Sequence, residues 1–298
     1  MQLDDAYANA AYIDNAEAYP PRWKDAAAAF RKKLGFRAQK NISYGPTDRE
    51  VYDLFEPEGV SRGTVIFVHG GYWKAFAPAD WSHLAAGPLA RGYAVAMVGY
   101  DLCPVVRISQ ITGQVARAIS EIAKRTQGAL ALVGHSAGGQ QVARMTDPLI
   151  LSGDVRDRIE NIVSISPVAD LMPLLQTSMN DILRLDEAEA TAESPVNMTP
   201  PLGVNVTIWV GADERPAFLE QAEQFSRVWG AKQFVVEGRH HFDIIDLLED
   251  PDSDMAKALL GITRALRGPR KSARQGAGWD DGVVLHFTAL ASCTPGPF

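Results

Sequence analysis

The stretch that decides the fold is Ala129-Leu130-Ala131-Leu132-Val133-Gly134-His135-Ser136-Ala137-Gly138-Gly139. Its apolar first half predicts a buried strand, and the G-x-S-x-G pattern after it predicts a sharp turn into a helix, the arrangement called a nucleophile elbow. Small residues at positions 134 and 138 would let the strand and the helix approach closely. Such a turn strains the serine backbone and presents its Oγ at the carboxyl edge of the sheet. We therefore predict that Ser136 is a nucleophile.

The rest of the chain repeats this alternation of strand-like runs and helical stretches. Strand-like runs cover residues 50–55, 64–68, 94–98, 129–133, 161–165, 206–210 and 232–236. Helical patterns cover residues 23–34, 80–91, 109–126, 137–145 and 216–229. Most of the strand-like runs are nearly continuous in apolar residues, which indicates burial on both faces, as in a parallel sheet. The alternation predicts an α/β fold with a doubly wound, mostly parallel sheet.

Length and composition are those of one large globular domain, which we assign to residues 1–267. The chain has 298 residues, of which 46% are hydrophobic and 22% charged, and single α/β domains of this size are common. Residues 167–204 carry five prolines between two predicted strands. This indicates either a small cap insertion over a site or a long irregular connection. Residues 268–298 break the periodic pattern, and we predict that they form an appendage outside the core.

The charge balance and the cysteines indicate the kind of partner and compartment. A net charge of −7 disfavours nucleic acid and anionic membranes as partners, and no apolar run is long enough to span a bilayer. Residues 1–5 lack the basic start and apolar core of a signal peptide. Two distant cysteines, Cys103 and Cys293, are typical of free thiols in a reducing compartment. We therefore predict a cytoplasmic protein with a small-molecule substrate, and the sequence leaves a homodimer open.

The loop after the run at 64–68 supplies a partner for the elbow. It reads His-Gly-Gly-Tyr-Trp over residues 69–73. Acyl transfer builds negative charge on a carbonyl oxygen, which fixed backbone N–H groups stabilise best because they need no reorganisation during the reaction. The predicted oxyanion hole combines Gly70, for loop geometry, with the N–H groups of Gly71, Tyr72 and Ala137. His69 is interpreted as a hydrogen-bonding residue that holds the loop.

A general base and an acid should follow the elbow in the chain. His240 and His241 come directly after the run at 232–236, and a loop at the carboxyl end of a strand is where the base belongs. Asp213 and Glu214 come shortly after the preceding run. Since they are adjacent, only one can face the base. Residue chemistry alone slightly favours Asp213 as the acid. It leaves open both the choice between the two histidines and the choice between the two carboxylates.

Aromatic residues in and after the loop at residues 69–73, here called the oxyanion loop, suggest how a substrate would bind. Trp73 and Phe76 are placed to stack on an aromatic substrate, and with equal weight they could fill the core beneath a lid. The sequence contains no H-E-x-x-H motif and no cluster of cysteine and histidine ligands. We therefore expect neither a metal nor another cofactor.

Several segments resemble the α/β-hydrolase superfamily and, within it, the kynurenine formamidase (arylformamidase) group. They are His69-Gly70-Gly71-Tyr72-Trp73, Tyr100-Asp101-Leu102-Cys103-Pro104, Gly134-His135-Ser136-Ala137-Gly138-Gly139, His241-Phe242 and Gly211-x-x-Glu214-x-Pro216-x-Phe218. The first two are much narrower signatures than G-x-S-x-G, which the whole superfamily shares. The resemblance covers about residues 45–250.

The resemblance selects among the residues left open above. The histidine of the group directly precedes a phenylalanine, which implies that His241 is the base. The acid of the group stands three residues after the glycine and two before the proline. This implies Glu214, at a position where the group usually has aspartate. The resemblance therefore implies an α/β-hydrolase fold with a catalytic triad of Ser136, His241 and Glu214.

The activity implied by the resemblance is hydrolysis of N-formyl-L-kynurenine to kynurenine and formate, in tryptophan breakdown, through an acyl-enzyme. Bacterial members of the superfamily also include carboxylesterases, so a broad short-chain carboxylesterase is the alternative. A non-catalytic binding protein of the same fold would need a broken triad. Here a serine, a histidine and two candidate carboxylates are all present.

Overall fold

The computed structural model describes residues 3–262, which contain an eight-stranded sheet with helices on both faces. The strands are β1 (Ala38–Ser43), β2 (Val51–Phe55), β3 (Thr64–Val68), β4 (Ala94–Val98), β5 (Leu130–His135), β6 (Ile159–Ile165), β7 (Asn205–Gly211) and β8 (Lys232–Val236). Seven of them match the predicted runs. The strand β1 was not predicted because it lies at the sheet edge with mostly exposed side chains, so its sequence carries no apolar run.

The helices connect these strands. The α-helices are α1 (Tyr19–Leu34), α2 (Ala86–Ala90), α3 (Ile108–Arg125), α4 (Ala137–Arg144), α5 (Gly153–Arg156), α6 (Asn180–Leu183), α7 (Glu187–Glu193), α8 (Pro216–Trp229) and α9 (Asp254–Leu259). Short 3₁₀ helices cover Asn9–Tyr12, Ala16–Ala18, Gly35–Arg37, Pro78–Asp80, Ser82–Ala85, Met172–Gln176, Pro195–Asn197 and Ile244–Leu248.

The predicted helix over residues 80–91 is wrong, because the chain there forms two 3₁₀ turns followed by the short helix α2. Pro88 explains the difference. In a helix that began at residue 80, Pro88 would have no N–H to donate to the Leu84 carbonyl, and its ring would clash with that carbonyl. The helix therefore starts again at Ala86, where Pro88 falls in the first turn and needs no such bond.

The sheet order β1-β2-β4-β3-β5-β6-β7-β8 confirms the predicted doubly wound, mostly parallel sheet. The strands β1 and β2 pair antiparallel, β2 is antiparallel to β4, and the remaining strands run parallel. Because parallel strands end at the same edge, the loops after β3, β5, β6, β7 and β8 meet there. Every predicted catalytic residue lies in or directly after one of these loops.

Two apolar layers enclose the sheet. In β3, Val65 and Phe67 pack with α1 and α9 on one face, whereas Ile66 and Val68 pack with α3 on the other. All five residues of β3 are buried, so alternating side chains enter different cores rather than core and solvent. This double burial explains why the sequence shows continuous apolar runs.

The structure describes the segment at residues 167–204 but not the predicted C-terminal appendage. Residues 167–204 contain α6, α7 and two 3₁₀ helices between β6 and β7, and their contact with the site is described below. The predicted appendage at residues 268–298 lies outside the described residues. Within residues 3–262, no helix combines the length and the hydropathy needed to cross a bilayer.

Candidate active site

Ser136 occupies the sharp turn between β5 and α4, with φ 55° and ψ −116°. This positive-φ conformation is strained for a residue with a side chain. Glycines make the turn possible. A Cβ at Gly134 would lie 2.0 Å from the Gly138 carbonyl oxygen, and a Cβ at Gly138 would lie 1.9 Å from that of Val68. A larger residue at either position would therefore force the strand, the helix and the loop apart.

Backbone hydrogen bonds hold the elbow in this shape. The Ser136 N–H donates to the Ile165 carbonyl at the end of β6, at 2.8 Å. The Ser136 carbonyl accepts from the N–H groups of Gly139 and Gln140, at 2.9 and 3.2 Å. The serine is only 2% exposed, and it lines a cavity at the carboxyl edge of the sheet. A reacting group would therefore approach Ser136 through that cavity.

The loop after β3 packs directly on the elbow. A Cβ at Gly70 would lie 3.0 Å from the Ser136 Cβ, and the loop continues through positive φ values of 100° at Gly71 and 49° at Tyr72. Within residues 3–262, the N–H groups of Gly71, Tyr72 and Ala137 donate no hydrogen bond. An oxyanion is stabilised by N–H donors that have no other partner and lie beside the nucleophile. The geometry is therefore compatible with the predicted oxyanion hole.

Of the two roles expected for Trp73, the structure favours packing in the core, because its side chain is fully buried and does not line the cavity. Its indole Nε1–H donates to Gln140 Oε1 in α4 at 3.2 Å, and the Gln140 amide donates to the Glu193 carbonyl at 2.9 Å. The Trp73 carbonyl accepts from the N–H of Cys103 at 2.8 Å. Trp73 therefore fastens the oxyanion loop to the helix that follows Ser136.

Two buried side chains near the loop have displaced pKa values. The His69 Nδ1 lies 2.8 Å from the Gly70 carbonyl, and its ring stacks on Tyr100 at 4.3 Å. Burial lowers the pKa of His69 to about 4, so the ring is neutral and donates this hydrogen bond, which fits its predicted role of holding the loop. Cys103 is a free thiol whose pKa burial raises to about 11. A neutral thiol of this kind is a poor nucleophile.

His241 pairs with Glu214 across the ends of β8 and β7. Its Nδ1 lies 2.6 Å from the Glu214 Oε2. The other carboxylate oxygen accepts from the Gly211 N–H at 2.9 Å and from the Ser166 hydroxyl at 2.5 Å. Glu214 is buried, whereas the neighbouring Asp213 is exposed. The structure thus brings the carboxylate of Glu214, rather than that of Asp213, to the histidine.

His240 is engaged elsewhere. Its Nε2 lies 3.0 Å from the Tyr19 hydroxyl, and its Nδ1 accepts from the Phe242 N–H at 3.1 Å. These partners turn its ring toward α1 and away from the cavity. The adjacent positions 240 and 241 therefore face different environments.

Ser136 and His241 line the same cavity, although no hydrogen bond joins these two described side chains. Contacts between a nucleophile and its base often tighten only when substrate is bound. The ring of His135 packs against that of His241, with centroids 4.6 Å apart. Burial, and then the proximity of His241, holds the pKa of His135 well below its usual range. His135 is therefore a neutral packing partner of the histidine.

The cavity that Ser136 and His241 line, here called the Ser136 cavity, has a volume of about 510 Å³. Its walls are mostly apolar and carry six aromatic rings, those of Tyr7, Trp23, Tyr72, Phe76, Trp81 and Phe242. Phe76 thus lines the cavity, as stacking on a bound substrate would require. Met179, from the insertion at residues 167–204, forms part of the same wall.

An N-terminal segment, residues 3–12, forms another part of this wall. Several contacts tie it to the loops around the site. The Asp5 carboxylate accepts from the Arg215 guanidinium at 2.7 Å, and the Tyr7 hydroxyl accepts from the Gln221 amide at 3.0 Å. The Tyr7 carbonyl accepts from the Tyr72 hydroxyl at 2.8 Å. The segment is therefore attached both to the loop that carries Glu214 and to the oxyanion loop.

Sequence reasoning missed Ser166 and the N-terminal segment. Ser166 lies directly after β6, at the edge where the other site residues meet, and its φ is 46°. That position was the available signal, since a polar residue after a predicted parallel strand belongs at this edge. For residues 3–12 the sequence offered no signal, because their contacts with the site span long stretches of chain.

Comparisons with known proteins agree with this geometry. A profile described as alpha/beta hydrolase fold matches residues 65–199. Kynurenine formamidases from Salmo salar and Drosophila melanogaster are 28% and 29% identical to the chain over 240 and 246 residues. In each case the match covers 74% of this chain and 80% of the relative.

Solved structures extend the comparison. The crystal structure of a candidate thioesterase from Silicibacter sp. TM1040 has 52% sequence identity and a TM-score of 0.86, and the match covers 87% of this chain and 99% of that one. An esterase from Pyrobaculum calidifontis has a TM-score of 0.62 at 16% identity, covering 83% and 92%, which supports the fold alone. With the sheet order and the elbow described above, these comparisons show that the chain is a hydrolase with the α/β-hydrolase fold.

Proposed function

We propose that this hydrolase removes the formyl group from an aryl formamide, N-formyl-L-kynurenine, with Ser136, His241 and Glu214 as its catalytic triad. The observation that carries the proposal is the aromatic wall of the Ser136 cavity, since an aryl leaving group packs well on such rings. Support also comes from the relatives named kynurenine formamidase, which align with 74% of the chain.

In this mechanism His241 acts first as a general base. Its Nδ1 faces the Glu214 carboxylate at 2.6 Å, so the proton of the neutral ring belongs on Nδ1 and the lone pair on Nε2. The Nε2 takes the hydroxyl proton as the Ser136 Oγ attacks the formyl carbon. Negative charge develops on the formyl oxygen, and the three backbone N–H groups of the predicted oxyanion hole stabilise it.

His241 then acts as a general acid. The tetrahedral intermediate collapses, the C–N bond breaks, and Nε2–H protonates the departing arylamine nitrogen. The formyl group remains as an ester on Ser136. Water next gives a proton to His241 as it attacks this ester. When the C–O bond to Ser136 breaks, the Oγ regains its proton from His241, and formic acid leaves and loses its remaining proton to solvent as formate. The aryl ring delocalises the nitrogen lone pair, so the amine leaves more readily than an alkyl amine would.

A side-by-side assay tests the substrate. We expect kcat/KM for N-formyl-L-kynurenine to exceed that for p-nitrophenyl acetate by at least about 100-fold, because the larger leaving group makes more contacts that strengthen in the transition state. Arylamine and p-nitrophenol release are both followed by absorbance, with Ser136→Ala as the blank. Faster turnover of the activated ester would contradict the formamide assignment.

An ester or thioester hydrolase is the second candidate. The observation that favours it is the 52% identity to the candidate thioesterase from Silicibacter, and the same triad would cleave either bond through an acyl-enzyme. The substrate panel therefore includes a short-chain acetyl thioester as a third arm. Preference for the ester or the thioester over the formamide would select this second function.

Glu214 is expected to be the carboxylate that supports His241, so Glu214→Gln should lower kcat by about 10⁴-fold. The amide keeps the shape of the side chain but removes the charge that stabilises the imidazolium, and it can hold the ring in the wrong tautomer. Steady-state kinetics with the preferred substrate measure the effect, and circular dichroism checks the fold.

The matched control for this variant is Asp213→Asn, one residue earlier in the same loop. Asp213 is exposed, and the hydrogen bond of its backbone N–H to the Arg239 carbonyl survives the substitution. Its kcat should therefore stay at the wild-type value. If Asp213→Asn lowered kcat strongly while Glu214→Gln kept the wild-type kcat, Asp213 rather than Glu214 would be the acid of the triad.

A further inference from the structure

Among the described residues that line the Ser136 cavity, Lys74 is the one lysine or arginine. It follows the oxyanion loop, and its N–H donates to the Gly71 carbonyl at 3.0 Å, which fixes its backbone close to the predicted hole. The residue is half-buried and lines the cavity, while none of the lining residues is acidic. Within residues 3–262, Lys74 makes no ion pair. The charge of the ammonium is therefore left without a carboxylate partner in the described part of the chain.

Asn9 is a second polar side chain of the same cavity that lacks a partner. It is 7% exposed, and neither its amide nitrogen nor its amide oxygen makes a hydrogen bond within the described residues. Buried amides normally have their hydrogen bonds satisfied, because an unpaired buried polar group destabilises the fold. Asn9 lies on the N-terminal segment and Lys74 directly after the oxyanion loop, so two separate parts of the chain each contribute to the lining of one cavity a residue whose side chain has no partner among the described residues.

We propose that Lys74, assisted by Asn9, receives a carboxylate carried by the leaving group of the substrate, so that the enzyme selects anionic aryl formamides over neutral ones. This inference rests on the proposed function. A formyl group has no side chain, so any charge that the cavity recognises must belong to the leaving group. A lysine ammonium attracts a carboxylate as a point charge, and the attraction is stronger where apolar walls exclude water. The aromatic walls would then hold the ring, and Lys74 would hold the anionic end.

The test uses two analogues of N-formyl-L-kynurenine that both lack the α-amino group. One keeps the free carboxylate, and the other carries a neutral carboxamide in its place, so the two substrates differ in charge. Wild-type enzyme should prefer the acid in kcat/KM by about tenfold or more, the scale of one charged hydrogen bond. This preference should disappear in Lys74→Met, reverse in Lys74→Glu and largely persist in Lys74→Arg. Asn9→Leu should raise KM for the acid more than for the carboxamide.

Ionic strength gives an independent readout. Salt screens a charge–charge contact, so KM for the acid should rise with salt in the wild type and stay flat in Lys74→Met. The matched control is Lys124→Met, because Lys124 is an exposed lysine of α3 that pairs with Glu121 and does not line the Ser136 cavity. This control should keep the wild-type preference and salt dependence.

The outcomes separate this inference from the proposed function. If Lys74→Met keeps the wild-type acid-to-carboxamide ratio and salt dependence, Lys74 does not receive the carboxylate, whereas formamide cleavage stands. If neither formamide is cleaved, the proposed function fails. The charge test then uses p-acetoxybenzoate and p-acetoxybenzamide, an ester pair whose charge is again on the leaving group. If the wild-type enzyme shows no preference for the acid in that ester pair, the proposed role of Lys74 is overturned.

Discussion

Replacing Ser136 by alanine should lower kcat by about 10⁶-fold, the scale of nucleophile removal in serine triads. In the proposed mechanism the substitution deletes the atom that forms the acyl-enzyme, while His241, Glu214 and the oxyanion loop should keep their positions. Since alanine retains the Cβ and the serine is already buried, we expect a thermal midpoint within about 2 °C of the wild type. Turnover of the preferred substrate and a thermal melt together measure the effect.

Ser120→Ala is the matched control for this variant. Ser120 is a half-buried serine of α3 whose hydroxyl donates to the Ala116 carbonyl at 2.9 Å, and it does not line the Ser136 cavity. The control should keep full activity. A fluorophosphonate reagent should label the wild type and Ser120→Ala but not Ser136→Ala. If Ser136→Ala still turned over substrate at a substantial rate, the protein would not be a serine hydrolase.

His241→Ala is expected to reduce kcat on a similar scale, because removing the imidazole takes from the proposed triad the group that serves first as general base and then as general acid. This variant also leaves the buried Glu214 without one of its partners, although the Gly211 N–H and the Ser166 hydroxyl remain. Some loss of stability is therefore expected. Added imidazole should restore part of the activity of His241→Ala and none of Ser136→Ala, which separates a missing base from a misfolded site.

His240→Ala provides the comparison at the neighbouring position. Its ring contacts Tyr19 and the Phe242 N–H rather than the cavity. The variant should therefore be somewhat less stable but retain most of its turnover. Loss of activity in His240→Ala, with full activity in His241→Ala, would show that the base had been assigned to the wrong histidine.

Most of the fold could be predicted from the sequence because double burial leaves a local signal. Each parallel strand must fill two cores, so a run such as Thr64–Val68 is buried throughout and apolar after its first residue. The edge strand Ala38–Ser43 fills neither core well and has no such run. The helix predicted over residues 80–91 is wrong because a helical sequence pattern does not reveal the backbone hydrogen bond that Pro88 cannot make.

The candidate site could be predicted from the sequence only where one short stretch of chain contains the whole feature. The elbow and the oxyanion loop are each contained in a short stretch, so their geometry follows from the glycines and their spacing. The choice between His240 and His241, or between Asp213 and Glu214, depends on which side chain meets a partner from another strand. Residue chemistry left both choices open. Trp73 was ambiguous for the same reason, since its hydrogen bond to Gln140 joins segments distant in sequence.

The N-terminal segment that walls the Ser136 cavity has an evolutionary consequence. Residues 3–12 contribute no strand to the sheet and are attached through side-chain contacts, such as the pair of Asp5 and Arg215 and the packing of the Tyr7 ring against Phe218. A lineage can therefore replace this short stretch without disturbing the elbow or the sheet. Mutations there would accumulate as changes in preference between leaving groups while the underlying chemistry is inherited intact. Divergence of substrate among proteins with this sheet should accordingly be concentrated in this wall.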